Sequence, residues 1–289
     1  MIKFSLPDYY SHAPIIFYFL TLQKEHPEYF IPNRVIDSVY GFPANLIWNG
    51  GRVQLDFAFD PSDNYKLIKD YFKHDIHIRH TCTNMLLDER HFNDFLCNYW
   101  LTFCERPKDA IILYSDAFAE YIKQTYPKYD IIYSTTRNDD LDTVNKLSET
   151  NLVVLNYNYN QNKEYLQQLQ HPENIEVVCA EACIPNCPNR QQHYLSISKH
   201  QMFLPLDNTD IVSCPFSREH GFNFYDILDF PHAITTEYVD VLYNQYGIQN
   251  FKISGRKNNP VAYIEPIIYY LIKPEYQDQI RQHALTLTL

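Results

Sequence analysis

Short runs of β-branched and other apolar residues recur along the chain, with helical patterns between them. Some runs are continuously apolar, such as Ile111-Ile112-Leu113 and Val153-Val154-Leu155, which is typical of strands buried on both faces of a parallel sheet. The predicted strands are 34–40, 76–81, 110–114, 129–133, 152–155, 175–180, 210–213 and 250–254. The predicted helices are 13–24, 62–73, 88–101, 117–126, 141–148 and 235–246, with a final helical segment over 260–282.

Eight predicted strands that alternate with helices over most of a 289-residue chain predict an α/β fold, a (β/α)8 TIM-like barrel. A doubly wound open sheet is the alternative. Residues 1–34 are interpreted as an N-terminal extension whose helix caps the bottom of the barrel, and residues 260–289 as a C-terminal helical segment. Neither an internal repeat nor a linker divides the sequence, so we expect one domain over residues 1–289.

The net charge of the chain argues against one class of binding partner. Thirty-five acidic residues against 24 basic ones give a net charge of −11, which argues against a nucleic-acid binder, since phosphates require a basic surface. No apolar run approaches the ~20 residues of a membrane span, and a signal peptide is not recognisable. We therefore expect a cytoplasmic protein without a membrane segment. In that reducing compartment, the seven cysteines are expected to be thiols or metal ligands.

Polar and basic residues stand where a barrel places its active site, in or just after the strands. A positive charge in a strand is costly unless it is paired or faces a ligand, and in an acidic chain this predicts a small anionic substrate such as a carboxylate or a phosphate. Buried ion pairs with Asp37 or Glu181 are the alternative. The candidate substrate-binding residues are Arg52, Arg79, Asn84, Asn156, Lys252 and Arg256.

The segment Trp48-Asn49-Gly50-Gly51-Arg52 contains two of the six glycines of the chain. Glycine permits a positive φ and a close approach of the backbone. This loop is therefore a candidate for binding an anion through backbone N–H groups and Arg52, and a plain tight turn is the alternative.

Cysteines cluster after the predicted strand 175–180, where Cys179 is followed by Cys183 and Cys187, and Cys214 follows the next predicted strand. Because neighbouring strand ends lie close together in a barrel, these thiols are expected to converge. Converging thiolates bind iron-sulfur clusters or zinc, and His193 would complete a tetrahedral zinc site. Burial as small apolar side chains is the alternative.

Two residues beside these cysteines are candidates for proton transfer. Glu181 can act as a general acid or base, and His193 can supply a proton or a ligand. Catalysis by Cys187 together with a histidine is a further alternative, and neither a nucleophile elbow nor a His-Glu-x-x-His motif is present in the sequence.

The sequence YGIQNFKISGR at 246–256 resembles the G-(V/I)-x-x-(F/L)-K-I-x-G-R signature of the collagenase-like peptidase family, the unassigned peptidase family numbered thirty-two. Glu176-Val177-Val178 leading to Cys183, and Cys214-Pro215 further on, are similar to cysteine elements of that family. Ser254 stands where the family signature has a glutamate. The resemblance is specific over roughly residues 175–256.

The resemblance implies a barrel-like domain with a 4Fe-4S cluster that supports oxygen-independent hydroxylation. By position, Cys183, Cys187 and Cys214 match cluster ligands. Cys179 or Cys82 is the fourth ligand, or one iron stays open for a substrate, and a reductant or a paired homologous subunit is the implied partner. The expected protein is an iron-sulfur enzyme that carries out a redox or hydroxylation-type modification of a small anionic substrate. The alternatives are a zinc-dependent hydrolase or lyase on the same barrel, and a non-catalytic, partner-binding barrel subunit with a structural metal.

Overall fold

The computed structural model of this chain describes residues 1–43, 46–50, 61–203, 223–254 and 260–287. Eight parallel strands form a closed barrel in chain order. The strands are β1 (Ile2–Pro7), β2 (Arg34–Gly41), β3 (His77–Cys82), β4 (Ala110–Leu113), β5 (Asp130–Tyr133), β6 (Leu152–Val154), β7 (Ile175–Val178) and β8 (Asn250–Lys252). The ring closes because β1 pairs with both β2 and β8. The predicted (β/α)8 barrel is confirmed, and the open sheet is excluded.

Helices surround the barrel, and five of the seven predicted helical segments lie within one residue of their predicted bounds, while 88–101 and 260–282 are each divided into two helices. None in the described part of the chain has the length and apolar character needed to cross a bilayer. Their bounds are α1 (Ala13–Glu25), α2 (Pro61–Lys73), α3 (Glu89–Phe92), α4 (Phe95–Cys104), α5 (Asp116–Thr125), α6 (Leu141–Ser148), α7 (Lys163–Leu166), α8 (Arg190–Phe203), α9 (Phe224–Leu228), α10 (Thr236–Tyr246), α11 (Pro260–Leu271) and α12 (Gln277–Thr286).

Capping side chains explain several of these bounds. The predicted helix 88–101 is divided in two because Asp94 accepts a hydrogen bond from the Cys97 N–H and starts α4 as a new helix. Thr235 caps α10 in the same way, and Gly247 ends it with a φ of 76°, a left-handed conformation that glycine adopts without strain.

The first barrel strand is β1, which corrects the predicted N-terminal extension over residues 1–34. Its residues alternate between apolar side chains packed against the helices and polar side chains on the other face, as in a strand. Consequently α1 does not precede the first strand as a cap but connects β1 to β2. The Gln23 side chain of α1 accepts a hydrogen bond from the Ile36 N–H of β2 at 2.7 Å.

The predicted strand 210–213 lies outside the described residues. Among the described strands, β7 pairs directly with β8, with Glu176 opposite Asn250 and Val178 opposite Lys252. Cys214 does not stand directly after β6 or β8, the two strands that pair with β7. The reason for expecting it beside Cys183 therefore no longer applies.

Part of the barrel lumen is filled by apolar side chains. Ala110, Ile112, Ile132, Val154 and Val178 form a separate apolar cluster inside the ring, while a larger core fills the space between strands and helices. These two layers follow from the alternation of side chains along each strand.

Candidate active site

A cavity of about 140 Å³ opens at the C-terminal end of the barrel, the end at which TIM barrels place their active sites. We call it the barrel-top cavity. Ends of most strands contribute to its wall, as do the loops after β2 and β7 and helix α8. The lining residues are Pro7, Asp8, Tyr40, Gly41, Phe42, Asn49, Gly50, Thr81, Thr83, Ile112, Ser134, Thr135, Thr136, Val178, Glu181, Tyr194, Lys252 and Ser254.

Lys252, one of the predicted substrate-binding residues, supplies a positive charge to this wall. Its Nζ lies 3.9 Å from the centroid of the Tyr40 ring, within the range of a cation–π contact. The Tyr40 hydroxyl donates a hydrogen bond to the Ile253 carbonyl at 2.7 Å, which fixes the ring. The ammonium group is thus held at the cavity by an aromatic face.

Glu181 places a carboxylate in the same wall and is only 6% exposed. One of its oxygens accepts a hydrogen bond from the Cys183 N–H at 3.2 Å, so the loop after β7 turns around this side chain. The Glu181 carbonyl lies 3.1 Å from Nε2 of His232. Burial lowers the pKa of His232, which favours the neutral imidazole next to the cavity wall.

Gly50 explains why the predicted glycine loop reaches the cavity. A Cβ at this position would overlap the backbone of Thr83 and Asn84, so only glycine permits the close approach. Asn84 does not line the cavity; its amide donates to the Ile47 carbonyl at 2.8 Å and holds the same loop. Arg52, at the end of the glycine segment, lies outside the described residues.

Arg79 lies deeper in the lumen than the cavity. It precedes the cavity residue Thr81 by two positions on β3, and its guanidinium forms an ion pair with Glu176 and lies 3.7 Å from Asp37. The structure therefore shows the buried ion pair that was the alternative to substrate binding, with Glu176 instead of Glu181 as the main partner. Arg256 lies outside the described residues.

A second cavity, of about 500 Å³, lies beside the first and shares Thr136 and Tyr194 with it. We call it the amide-lined cavity because five asparagines contribute to its wall. Asn156, a predicted substrate-binding residue, lies here and bonds to Asn138 and Arg190. The lining residues are Thr136, Asn138, Asn156, Asn158, Tyr159, Asn162, Asn186, Cys187, Pro188, Arg190, Gln191 and Tyr194.

Cys179 lies apart from Cys183 and Cys187, although all three are predicted metal ligands. Cys179 follows the lumen residue Val178 and therefore points to the helices, where it is fully buried; burial raises the pKa of its thiol. Cys183 and Cys187 lie partly exposed on the loop after β7, and Cys214 lies outside the described residues. Within the described ranges, no three His, Cys, Asp or Glu side chains form a group able to hold a metal ion.

His193 lies on α8 and is partly exposed, with its ring centroid 6.2 Å from that of Tyr194. Helix α8 itself was not predicted, although residues 190–203 contain neither proline nor glycine. Arg190 was consequently not predicted as a site residue. Asp8 was not predicted either, because β1 was not recognised; the alternation of apolar and polar residues over 2–6 was the available signal.

These features define an α/β barrel protein with a charged, hydroxyl-rich cavity at the C-terminal end of its strands. A solved structure titled "The Structure of the U32 Peptidase Mk0906" is similar to this chain, with a TM-score of 0.54 and 11% sequence identity, covering 89% of this chain and 94% of that one. At this identity the likeness shows the fold, and it is the fold of the family that the 246–256 signature indicated. No family model and no curated protein matches the sequence.

Proposed function

We propose that this protein is a barrel enzyme that binds a small anionic substrate in the barrel-top cavity and modifies it there with the help of proton transfer. The observation that supports this function is the presence of Lys252 and the buried Glu181 in the wall of one cavity. A cation can bind the carboxylate or phosphate of a substrate, and a carboxyl group can move a proton to or from it.

The neighbouring side chains suit these roles. The hydroxyl groups of the wall can orient the polar groups of a bound substrate by hydrogen bonds; they belong to Tyr40, Thr81, Thr83, Ser134, Thr135, Thr136, Tyr194 and Ser254. The apolar floor of Ile112 and Val178 lowers the local dielectric, which strengthens the interaction of Lys252 with an anion.

Removing the charge of Lys252 is expected to abolish substrate binding. We expect that a thermal-shift screen of small carboxylates and phosphates will find compounds that raise the Tm of the wild-type protein, and that the Lys252→Met protein will not respond to them, because ligand binding stabilises the native state by mass action. The control is Lys123→Met, which removes the same charge from an exposed position of α5. An equal response of the Lys252→Met protein would refute this role.

Glu181→Gln is expected to separate binding from turnover. The amide keeps the shape of the side chain and its hydrogen bond from the Cys183 N–H, but it cannot exchange a proton. For a compound found by the screen, turnover followed by mass spectrometry should fall by roughly 10²–10⁴-fold while the Tm response persists. Unchanged turnover would exclude proton transfer by Glu181, and a response to no compound at all would favour the non-catalytic, partner-binding barrel.

A 4Fe-4S cluster bound partly by Cys183 and Cys187 is the cofactor we propose for this site. Exposure supports it: these two thiols lie partly exposed at the barrel mouth, whereas the other described cysteines, Cys82, Cys97, Cys104 and Cys179, are buried. The described residues thus offer two of the four thiolates that such a cluster takes. When bound, the cluster would supply redox chemistry and would require a reductant partner. Zinc is the alternative metal.

Metal analysis after anaerobic purification tests this cofactor. We expect a brown protein with about four iron and four sulfide per chain and a broad band near ~400 nm, and we expect the Cys183→Ala/Cys187→Ala protein to lose them. Cys97→Ala, in a helix that faces the core, is the control and should keep its metal. A colourless wild-type protein with stoichiometric zinc would favour the zinc enzyme, and iron retained by the double variant would contradict both ligand assignments.

A further inference from the structure

The amide-lined cavity differs in charge from the rest of this acidic protein. The chain contains 35 acidic residues, yet none of the described residues that line this cavity is an aspartate or a glutamate. The one charged side chain in that described wall is Arg190. Its other polar groups are asparagine and glutamine amides, three hydroxyls and the Cys187 thiol, and the amides can donate hydrogen bonds to an anion.

Among the described residues, Arg190 donates hydrogen bonds to neutral acceptors. Its guanidinium donates to Asn156 Oδ1 at 3.1 Å and to the carbonyl and the Oγ1 of Thr135 at 3.1 and 3.0 Å. It also lies over the ring of Tyr157, 4.4 Å from the centroid. Within the described part of the chain, no carboxylate comes within ion-pair distance of Arg190, and its buried Nε has no hydrogen-bond partner.

A half-buried guanidinium in these surroundings carries a positive charge that no anion of the described chain neutralises at contact distance. Burial opposes the charged form, but the combined effect of Tyr194, Tyr157, Glu181 and Cys183 outweighs it, so the pKa of Arg190 lies above its usual value. Helix α8 begins at Arg190, and the partial positive charge of its N-terminus adds to that of the side chain. An oxyanion in the cavity would offset the cost of burying this charge.

Arg190 also connects the two cavities. Thr135, which accepts two of its hydrogen bonds, lines the barrel-top cavity, while Arg190 lines the amide-lined cavity. Thr136 and Tyr194 line both cavities. The two cavities therefore adjoin along a shared wall.

We infer that Arg190 forms an oxyanion subsite in the amide-lined cavity and that the substrate carries two oxyanion groups, one bound by Lys252 and the other, a carboxylate or a phosphate, bound by Arg190. The two-ended substrate rests on the function proposed above for the barrel-top cavity. The subsite at Arg190 does not, because it is an anion site in its own right.

Equilibrium dialysis with labelled inorganic phosphate, and in a separate arm with labelled acetate, tests this subsite at constant ionic strength. The two arms distinguish a phosphate from a carboxylate subsite. We expect the wild-type protein to bind about two equivalents of at least one anion, and Arg190→Gln and Lys252→Met each to bind about one, because each variant removes the cation of one site.

A second variant covers the case in which Arg190→Gln fails to fold. Asn162 caps α7 by accepting a hydrogen bond from the Tyr165 N–H at 3.0 Å, and an aspartate caps a helix equally well. Asn162→Asp thus adds a negative charge to the wall of the amide-lined cavity without loss of the cap. We expect it to weaken the Arg190 equivalent by roughly tenfold or more through repulsion. The exposed Gln282→Glu on α12 adds the same charge elsewhere and should change neither equivalent.

The outcomes separate this inference from the proposed function. Two equivalents retained by both Arg190→Gln and Asn162→Asp would overturn the subsite and leave the role of Lys252 intact. Two equivalents retained by Lys252→Met, with one lost in Arg190→Gln, would support the subsite and overturn the proposed role of Lys252. Saturable binding of neither anion to the wild-type protein would overturn the subsite.

Discussion

Glu176→Gln is expected to lower the free energy of unfolding by about 3–5 kcal/mol, the range observed when one partner of a buried ion pair is removed. Glu176 is fully buried and Arg79 is 8% exposed, so their mutual ion pair lies in the interior of the barrel. Without the carboxylate, the Arg79 charge remains buried, and Asp37, 3.7 Å away, is the one ion-pair partner left to it among the described residues. Urea denaturation measures the change.

Two further variants make this prediction specific. Arg79→Met/Glu176→Met removes both charges and should recover much of the lost stability, since a buried ion pair is often replaceable by apolar side chains. Asp70→Asn breaks an exposed ion pair with Lys73 and should change stability little. A Glu176→Gln protein as stable as the Asp70→Asn protein would show that the lumen pair does not stabilise the fold.

Acidification is expected to destabilise the protein through His80. This side chain is completely buried, and the rings of Tyr9, Phe42, Trp100 and Tyr129 all meet it edge-on. Neither ring nitrogen has a hydrogen-bond partner in the described residues. Burial lowers the pKa of His80 to about 4, against the opposing effect of Asp109.

The direction of the pH effect follows from the difference between the pKa of His80 in the unfolded chain and in the folded protein. The unfolded chain takes up a proton on His80 near pH 6.5, whereas the folded protein takes it up only near pH 4. The contribution of His80 to stability is therefore complete above about pH 6.5, falls as the pH drops towards about 4, and changes no further below that value. The loss amounts to about 3 kcal/mol, since each pKa unit corresponds to about 1.4 kcal/mol.

Denaturation curves between pH 7 and pH 4 measure this loss. His80→Phe places a ring that does not titrate in the same aromatic surroundings. Between pH 7 and pH 4, the free energy of unfolding of this variant should therefore fall by about 3 kcal/mol less than that of the wild type. His74→Gln removes an exposed histidine and should keep the pH dependence of the wild type. Identical pH profiles for the wild type and His80→Phe would contradict the assignment to His80.

The sequence located most strands and helices because their signals are local. Continuous apolar runs identified the interior strands β4 and β6, and caps such as Thr235 with Gly247 fixed the ends of α10. The first strand was missed although its alternating pattern is equally local. It has six residues, as many as β3, so its length does not explain why it was missed.

Candidate site residues could be placed at strand ends from the sequence, and Lys252 and Glu181 both reach the barrel-top cavity. Their roles there remain predictions. Arg79 and Lys252 were predicted to have the same substrate-binding role, but they lie at different depths in the barrel. Arg79 stands two residues before the cavity residue Thr81. It pairs with Glu176, a partner 97 residues away along the chain. No local pattern encodes such a pairing.

The sequence by itself determined the fold class, because the period of apolar residues specifies each element and the alternation of elements specifies a parallel barrel. Tertiary structure alone decided which side chains share a cavity. The ring order placed β8 beside β7, the direction of β7 turned Cys179 towards the helices and Val178 into the lumen, and α8 placed Arg190 between two cavities. The physical reason is that contacts across a closed barrel join residues distant in sequence, and their energies depend on burial and partners that appear only once the ring has closed.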